Sequence, residues 1–300
     1  MTRLLFCFGF GFSAAALARR LQAAGGWRIA GTSRSEGRRQ EMAAAGIEAH
    51  AFGPGLPLPE GALQGATHVL HSIPPGEDGD PVHAACLPQI LAAAPAWFGY
   101  LSTTGVYGDS GGAWVDEETP CRPTQARSRR RLAAEGEWLA ACRDHGLPVQ
   151  VFRLAGIYGP GRSSFDALRQ GRGRRIDRPG HMFSRIHVDD IAAALAAAIE
   201  RPVPERGYCG RVYNVCDDEP VEPEAVTAHA ARLLGLPVPP LQDFATAAAE
   251  MSPMARSFWA DNRRVRNDRL KRELLPQLAY PTYREGLAAV LAAEGGGAAG

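Results

Sequence analysis

The sequence predicts an α/β fold with a doubly wound parallel sheet at its centre and a smaller C-terminal lobe. Short apolar runs alternate with longer helical patterns through the first half of the chain, as expected for βαβ units whose helices cover both faces of a sheet. The first apolar run ends in a glycine-rich turn that opens an alanine-rich helical pattern. Between residues 159 and 183 the composition shifts to glycine and arginine, which indicates a loop-rich lobe.

The first part of the chain contains five predicted strands, each an apolar run that stops at glycine, proline or a polar residue. Helical patterns separate several of them; Gly46 closes the second helix, and Pro81 stands in the first turn of the third. The strands are predicted at Leu4–Phe8, Trp27–Thr32, Ile47–Phe52, Thr67–Ile73 and Trp97–Ser102, and the second and third helices at Glu36–Ala45 and Pro81–Ala94.

The second part of the chain contains more helix than strand. Asp189 and Asp190 are interpreted as the N-terminal cap of a helix rather than as catalytic carboxylates. A proline-rich joint is expected at 236–240 and a disordered tail at 294–300. The stretch Phe183–Val188 is apolar again. Strands are predicted at Val149–Leu154 and Arg211–Val215, and helices at Leu132–His145, Asp189–Ile199, Glu222–Leu234, Arg263–Leu275 and Tyr283–Ala293.

The composition fits a globular protein with one large core, or with a core and a lobe, because 45% of the 300 residues are hydrophobic. The formal net charge of +1 favours neither nucleic acid nor an anionic membrane as a partner. No apolar run reaches the length of a membrane span. The arginine cluster in residues 127–131 is interpreted as a solvated helix face rather than a nucleic-acid patch. The expected partner is therefore a small-molecule substrate, and a homodimer is left open.

None of the six cysteines forms a CxxC pair or stands at a zinc-ligand spacing with histidine, so we expect no metal site. The pattern is typical of reduced, mostly buried thiols, and the predicted location is cytoplasmic. The N-terminal apolar stretch also imitates a secretory leader, but Gly9 and Gly11 interrupt it, which favours a strand. The cysteines are Cys7, Cys86, Cys121, Cys142, Cys209 and Cys216.

The turn Gly9-x-Gly11-x-x-Ala14 matches the dinucleotide-binding fingerprint in its alanine-ending form. Gly9 allows the chain to turn off the strand, Gly11 lets the backbone approach a pyrophosphate, and Ala14 permits close packing of helix on strand. The helix N-terminus then offers N–H groups and a partial positive charge to the phosphates. We predict cofactor contacts along the whole turn, at Gly9, Phe10, Gly11, Phe12 and Ser13.

The end of the second predicted strand indicates which dinucleotide binds. NAD-binding proteins usually place Asp or Glu there, to accept a hydrogen bond from the adenine ribose. This sequence has Thr32, Ser33 and Arg34 instead, with Arg38 and Arg39 one turn further on. Hydroxyls and a guanidinium suit a 2′-phosphate through charge-assisted contacts, so NADP is the predicted cofactor. The alternative is that Arg34 is an ordinary exposed arginine.

The fourth predicted strand ends in His71, Ser72, Ile73 and Pro74. Ligands of open α/β sheets bind at the carboxyl ends of the strands, so we expect this backbone to border the adenosine and the diphosphate. For His71 itself, a buried histidine in a proline-terminated strand is an equally good interpretation.

Several motifs together resemble one family, the extended short-chain dehydrogenases/reductases, also called the NAD-dependent epimerase/dehydratase family. They occur in the family's order and cover most of the chain. The resemblance implies a Rossmann core at 1–158, completed by about 184–217, and a discontinuous substrate lobe at 159–300. It also implies a bound NAD(P) and, often, a nucleotide-sugar substrate. The motifs are the Gly9 fingerprint, Ser102–Gly108, Arg153–Gly161, Ile186–Asp190 and Tyr213–Val215.

The resemblance fails at the family's catalytic pair, Tyr-x-x-x-Lys, which stands just before a Leu-Ala-Ala-Glu-like stretch. Here that stretch is Leu132–Glu135, so Arg131 occupies the lysine position and Arg127 the tyrosine position. The usual mechanism needs a phenol whose pKa is lowered by a neighbouring ammonium, whereas arginine does not deprotonate in a protein. The sequence predicts a family member that keeps the fold and the cofactor site but lacks the usual proton-transfer machinery.

The remaining catalytic candidates are Thr103 and Tyr107. Thr103 matches the family's catalytic Ser/Thr, whose hydroxyl would hydrogen-bond a substrate oxygen beside the nicotinamide; a capped strand-end turn is the alternative. Tyr107 is a substitute phenol or, more commonly at this family position, a structural residue. Ser102 and Leu154 are assigned to the cofactor pocket.

The leading hypothesis is an NADP-binding oxidoreductase- or epimerase-like protein with a degenerate catalytic pair and an unidentified substrate. The alternative is a catalytically silent NADP-binding module that senses redox state or binds a partner. The first predicts turnover of a carbonyl compound or a sugar nucleotide. The second predicts tight cofactor binding without turnover.

Overall fold

The computed structural model describes residues 2–201 and 210–296 and confirms the predicted α/β fold. Its strands are β1 (Arg3–Phe8), β2 (Trp27–Thr32), β3 (Glu48–His50), β4 (His68–His71), β5 (Trp97–Thr103), β6 (Trp114–Val115), β7 (Val149–Leu154), β8 (Gly156–Tyr158), β9 (Arg175–Asp177), β10 (Arg185–His187), β11 (Arg211–Val215), β12 (Leu241–Asp243) and β13 (Arg264–Val265). A short 3₁₀ turn, Thr104–Tyr107, follows β5.

Helices precede or follow most of these strands. They are α1 (Phe12–Ala24), α2 (Glu36–Ala44), α3 (Pro81–Ala93), α4 (Ala126–His145), α5 (Ser164–Arg169), α6 (Val188–Glu200), α7 (Pro223–Leu233), α8 (Phe244–Ala249), α9 (Pro253–Phe258), α10 (Asp268–Glu273) and α11 (Tyr283–Gly296).

Seven of the strands form the central sheet, in the spatial order β3-β2-β1-β4-β5-β7-β11. β1 pairs in parallel with β2 on one side and with β4 on the other, and the parallel pairing continues from β2 to β3 and from β4 to β5. The chain leaves β1 toward one edge of the sheet and returns from β3 to the opposite side of β1. The carboxyl ends of β1 and β4 therefore meet where the strand order reverses, the usual ligand position in open α/β sheets.

The apolar run that forms β1 lies at the centre of the core. Every residue from Leu4 to Phe8 is at most 4% exposed, because β1 has a neighbouring strand on each side and is covered on both faces. Phe6 and Phe8 pack edge to face, with 5.0 Å between ring centroids, in one cluster with Phe98 and Trp138. Full burial of one such ring contributes roughly 1.5–3 kcal/mol, so this run firmly anchors the turn that follows it.

The residues group into two compact units, and each is made of several chain segments. The first unit comprises Met1–Thr103, Ala126–Arg153 and Ile191–Tyr213, and contains most of the central sheet. The second unit comprises Thr104–Gln125, Leu154–Asp190 and Asn214–Gly300. The sequence-based division places 104–125 with the sheet, whereas the structure groups this segment with the second unit.

The second unit has a small core of its own. Short parallel strand pairs lie in it: β8 with β10, β9 with β12, and β6 with β13. Its apolar cluster is formed largely by α5, α7 and α11, whose buried contributions include Phe165, Leu168, Val226, Ala230, Leu287 and Val290.

Strand bounds agree with the prediction at β2, β7 and β11, which begin and end as expected. Helix α4 begins at Ala126 rather than at Leu132, because its first turns are arginine-rich and show no apolar periodicity. The stretch 159–183, predicted as loop, holds α5 and β9, and 241–262 holds β12, α8 and α9. The predicted helix Arg263–Leu275 is β13 followed by the shorter α10. Elements this short contain too few residues to show a period.

The expectation of six reduced thiols is wrong at Cys142, which forms a disulfide bond. Disulfides are uncommon in the cytosol. The cysteine pattern therefore no longer supports the predicted cytoplasmic location. Cys209 lies outside the described residues. The described cysteines that form no disulfide bond are Cys7, Cys86, Cys121 and Cys216.

Within 2–201 and 210–296, no helix combines the length and the apolar character needed to cross a membrane. The same residues contain no group of three or more His, Cys, Asp or Glu side chains arranged to hold a metal ion. Helix α11 extends to Gly296, so the predicted tail is helical at 294–296, and its remainder at 297–300 lies outside the described residues.

Candidate functional site

The turn after β1 has a backbone conformation that requires glycine. Gly9 has φ +80°, in the left-handed region, and a Cβ there would lie 2.9 Å from both Ser72 Oγ and Ile73 Cγ1. The N–H of Gly9 donates to Thr32 Oγ1 at 2.8 Å, and Ser72 Oγ donates to the Gly9 carbonyl at 2.9 Å. These bonds fix the turn to the ends of β2 and β4, the two strands beside it.

Gly11 leaves open space at the start of α1. It is exposed, and a Cβ there would meet no atom within 4 Å. Gly11 is the N-cap of α1, and no side chain caps this helix. Ser13 and Ala14 are buried, so the helix is packed firmly while its N-terminal end stays open. Such an end attracts an anion through its N–H groups and its partial positive charge, which suits the diphosphate of a dinucleotide.

Phe10 and Phe12 differ in what they offer to a ligand. Phe10 is 7% exposed, and its ring packs over Gly31, where a Cβ would lie 2.8 Å from Phe10 Cδ2. Its N–H donates to the Thr32 carbonyl at 3.1 Å. Phe12, the first residue of α1, is half-buried. The Phe10 side chain therefore stabilises the turn, and only its backbone borders the open side.

The end of β2 carries a cation and no carboxylate. Thr32 is buried, Ser33 is half-buried and Arg34 is exposed. The Arg34 side chain lies across Gly53, where a Cβ would be 2.6 Å from Arg34 Cγ. Among the described residues, no carboxylate or carbonyl accepts a hydrogen bond from its guanidinium. Its charge is therefore available to an anionic ligand.

The two arginines one turn further on are engaged, unlike Arg34. Arg38 pairs with Glu41 at 2.6 Å. Arg39 pairs with Glu36 and also donates to the Ser33 carbonyl at 3.0 Å. In the sequence, Arg34, Arg38 and Arg39 form one group of candidates for binding an anion. In the structure, Arg34 is the one of the three whose guanidinium has no carboxylate partner among the described residues.

His71 has its side chain in the core, so the buried-histidine interpretation is the one the structure supports. It is 0% exposed, and its Nε2 lies 2.7 Å from Asp80 Oδ2, which also accepts from Trp138 Nε1 at 3.1 Å. Burial lowers the pKa of His71 although the hydrogen bond with Asp80 acts to raise it, so the neutral ring donates through Nε2. Only the backbone of His71 is placed to border a ligand.

Asp80 is a functional residue of this core that the sequence argument missed. Its Oδ1 accepts from the N–H groups of Val82 and His83, as the N-cap of α3. Burial acts to raise its pKa, but the hydrogen bond from His71 and the backbone N–H bond outweigh that effect and bring the pKa to about 2. The sequence signal for this capping role is the aspartate directly before Pro81, a typical helix-start pattern.

The three residues after His71 form the other side of the turn. Ser72 donates its N–H to the Phe8 carbonyl at 2.9 Å. Ile73 is half-buried beside Gly9, and Pro74 is exposed. The contacts of these three residues with a cofactor remain a prediction. That prediction requires them to lie beside the carboxyl end of β1, and they do.

Ser102 directs its hydroxyl into a buried ion pair. It donates to Glu135, whose carboxylate pairs with Arg153 at 2.7 Å. Glu135 and Arg153 are 1% and 6% exposed. The side chain of Ser102 therefore stabilises the contact of β5 with α4 and β7, and only its backbone is available to a cofactor. Leu154, the next residue of β7, is 6% exposed.

The sequence-based prediction assigns Arg131 to the lysine position and Arg127 to the tyrosine position of the family's catalytic pair. Arg131 donates to the Leu101 carbonyl and lies 5.7 Å from the centroid of the Tyr100 ring. Arg127, at the tyrosine position, is exposed on the first turn of α4. Thr103 ends β5 and is half-buried. These side chains supply a hydroxyl and two permanent cations, but no group that acts as a base near neutral pH.

Tyr107 belongs to the second unit and has a structural environment there. It is 2% exposed, and its hydroxyl donates to Asn214 Oδ1 at 2.7 Å. The N–H of Asn214 donates in turn to Glu117 at 2.8 Å. This hydrogen bond would have to break before Tyr107 served as a substitute phenol.

Asp190 anchors a distant segment of the second unit, and the predicted capping role is wrong for it. Helix α6 begins at Val188, before both aspartates. Asp190 is 1% exposed, and its carboxylate accepts from the N–H groups of Ala279 at 2.7 Å and Tyr280 at 3.0 Å. Asp189 is exposed.

An uncapped helix N-terminus at the reversal point of a parallel sheet is the arrangement found in the Rossmann type of fold. A model of the NAD dependent epimerase/dehydratase family matches residues 83–216, so this part of the chain is similar to that family.

The similarity to individual known proteins covers different fractions of this chain. Protein YeeZ of Escherichia coli K12 is 34% identical over 146 residues, which are 47% of this chain and 47% of YeeZ. The chain thus spans about half the length of the curated relatives it matches. A functionally unknown conserved protein from Silicibacter pomeroyi DSS is 53% identical, with a TM-score of 0.88 over 97% of this chain and 99% of that one.

A more distant structure shows the same fold. UDP-glucuronic acid 4-epimerase from Bacillus cereus, in complex with NAD, is 16% identical, with a TM-score of 0.75 over 95% of this chain and 96% of that one.

Proposed function

We propose that this protein binds NADP in the turn after β1 and acts as an oxidoreductase- or epimerase-like protein on a small molecule. The observation that supports this best is Arg34, an exposed guanidinium at the end of β2 that the described residues leave without an acceptor. An NAD site would place a carboxylate here to accept from the ribose hydroxyl. A guanidinium instead matches the 2′-phosphate, which is present in NADP and absent in NAD.

The proposed cofactor position follows from the geometry of the first unit. The backbone of 9–13 would hold the diphosphate, where Gly11 is open and α1 is uncapped. Ser33 and Arg34 would hold the 2′-phosphate. The backbone of 71–74 would border the adenosine, beside the carboxyl end of β1.

When bound, the nicotinamide ring supplies hydride transfer. At the reacting end this chain contributes the Thr103 hydroxyl, which would polarise a substrate carbonyl, and the Arg131 guanidinium, which would hold an anion or a ribose hydroxyl. Neither Arg127 nor Arg131 exchanges a proton near neutral pH. Proton transfer then depends on water or on the substrate, so turnover should be slow.

The first substrate class to test is the nucleotide sugars. The B. cereus structure that shares this fold is a UDP-glucuronic acid 4-epimerase in complex with NAD, which supports that choice by analogy. Small carbonyl compounds are the second class.

A silent NADP-binding sensor is the second candidate function. It is favoured by arginines at both positions of the catalytic pair and by the internal hydrogen bonds of the Ser102 and Tyr107 hydroxyls. A sensor would bind NADPH tightly, turn over no substrate and bind a partner only when the cofactor is present.

Titration calorimetry of the unmodified protein with NADP(H) and NAD(H) tests the proposal. NADP(H) should bind more tightly, and equal affinity for the two cofactors would remove the claim. A screen of NADPH oxidation against sugar nucleotides and small carbonyls then separates the two functions, since turnover supports the oxidoreductase and tight binding without turnover supports the sensor.

A further inference from the structure

An open groove in the second unit has no role in the proposed cofactor site. Its volume is about 440 Å³, within the roughly 300–1,000 Å³ of typical ligand pockets. All of its lining residues belong to the second unit. The side chains that matter are Arg178, Phe244, Ala245, Ala248, Arg256 and Trp259.

Two arginines give this groove a positive charge that no carboxylate balances. Arg178 donates to the Trp259 carbonyl, and Arg256 donates to the Ala248 carbonyl. Neither forms an ion pair within the described chain. A guanidinium has five N–H donors, so each of the two retains donors for a ligand.

Two acidic residues of the α8 segment, Glu250 and Asp243, have other partners. Glu250 pairs with Arg174 at 2.6 Å. Asp243 accepts from the N–H of Thr246 at 3.0 Å, as the N-cap of α8. Neither of these two carboxylates therefore pairs with an arginine of the groove.

Aromatic rings form the apolar part of the groove. The centroids of Phe244 and Trp259 are 5.5 Å apart, and the Arg178 guanidinium lies 4.3 Å from the Phe244 centroid. His181 stacks on Trp259 at 5.4 Å and so stiffens it. Burial and the neighbouring Arg178 lower the pKa of His181 to about 4, so this ring is neutral near pH 7 and the two arginines set the charge.

We infer that this groove binds a planar aromatic anion, a ring that carries a phosphate or a carboxylate. The ring packs on Phe244 and Trp259, where stacked and edge-to-face contacts are favourable. The anionic group accepts charge-assisted hydrogen bonds from Arg178 and Arg256. This site goes beyond the proposed cofactor function and does not depend on it.

Titration calorimetry on the full chain, with phenyl phosphate and benzoate as probes, tests the inference. Phenol lacks the charge and inorganic phosphate lacks the ring, so both should bind about tenfold more weakly or worse. Comparison of phenyl phosphate with benzoate distinguishes a phosphate ligand, such as a nucleotide, from a carboxylate ligand.

Two kinds of variant locate the binding in the groove. Arg178→Gln and Arg256→Gln should each weaken the aryl anion about tenfold, whereas Arg232→Gln, an exposed change on α7, should leave it unchanged. Ala245→Trp fills the groove from an exposed position and keeps both arginines, so it should abolish binding even if an arginine variant misfolds.

Three results would overturn the inference. The first is an absence of binding by either aryl anion, and the second is equal binding of inorganic phosphate. The third is no effect of Ala245→Trp together with correctly folded arginine variants that bind normally.

Discussion

Arg34 is the residue on which the cofactor proposal depends most. Replacing Arg34 with Ala should weaken NADP(H) by about ten- to a hundredfold, since a charged hydrogen bond contributes roughly 1.5–3 kcal/mol. NAD(H) affinity should barely change, because NAD(H) lacks the 2′-phosphate. Titration calorimetry with both cofactors measures the two effects.

Arg38→Ala is the matched control, because the Arg38 guanidinium is held by Glu41. It should leave both affinities within about a factor of two. If Arg34→Ala weakened NAD(H) as much as NADP(H), Arg34 would not be recognising the 2′-phosphate.

Variants of Thr103 and Tyr107 should distinguish a residue that takes part in the reaction from a residue that stabilises the fold. In any NADPH-oxidising reaction that a screen finds, Thr103→Ala should lower kcat by about 10²–10³, the usual effect of losing one polarising donor. Tyr107→Phe should leave kcat nearly unchanged. It should instead destabilise the fold by about 1–3 kcal/mol, because the buried Asn214 Oδ1 loses its donor.

Steady-state kinetics and urea unfolding on the same two variants check this pair of outcomes. Turnover that is lost only with Tyr107→Phe would make Tyr107 the catalytic group. Efficient turnover unaffected by either change would place the chemistry elsewhere.

At the scale of elements, the buried ion pair of Glu135 and Arg153 joins α4 to β7. Arg153→Met removes the cation and leaves a carboxylate buried without a counter-charge, which typically costs about 3–5 kcal/mol. Arg28→Met breaks the pair with Glu48 at a side chain that is 63% exposed, and it should cost about 1 kcal/mol at most. Urea unfolding gives both values.

A double variant makes the test sharper. Combining Arg153→Met with Glu135→Leu removes both charges, so it should recover much of the lost stability. If the double variant were less stable than Arg153→Met alone, the loss would come from packing rather than from the isolated carboxylate.

Secondary-structure elements were predictable where the sequence itself marks both the element and its ends. β2, β7 and β11 are short stretches rich in apolar residues, and their bounds agree with the sequence-based prediction. Gly9 and Gly11 were identified by local backbone chemistry alone. The start of α4 was missed because its first turns are arginine-rich and show no apolar period. Helices α8 and α9 were missed because six residues do not establish a helical period.

Side-chain pairings were not predictable, because they join residues far apart in sequence. Nothing local indicates that Ser102 donates to Glu135, or that Glu36 and Glu41 engage Arg39 and Arg38 and leave Arg34 available. The sequence therefore located the cofactor turn but could not rank the arginines around it.

At the scale of the whole molecule, Asp217 should impose a pH dependence on stability. It is 1% exposed, and neither carboxylate oxygen has a hydrogen-bond partner among the described residues. Burial raises its pKa to about 8, although Arg185 acts to lower it. Between about pH 4 and pH 8 the folded chain holds a proton that the unfolded chain has released, so stability falls as pH rises through this range and levels off above it.

Urea unfolding of the unmodified protein and of Asp217→Asn between pH 5 and pH 9 isolates this effect. The asparagine carries no titrating proton, so its stability relative to the unmodified protein should increase with pH up to about 8. A constant difference across the range would show that Asp217 is already ionised in the fold.

The strand order of the central sheet also determines when, during synthesis, the sheet can be completed. β11 is the sheet edge beside β7, yet β11 begins at Arg211 while β7 ends at Leu154. At about 5–20 residues per second, a ribosome needs roughly 3–11 s to make the intervening chain. During that interval the nascent sheet exposes the open edge of β7, whose six residues are all buried in the finished fold. Unpaired strand edges attract other strands, so this is the stage of biogenesis at which the chain is most exposed to aggregation and most dependent on chaperones.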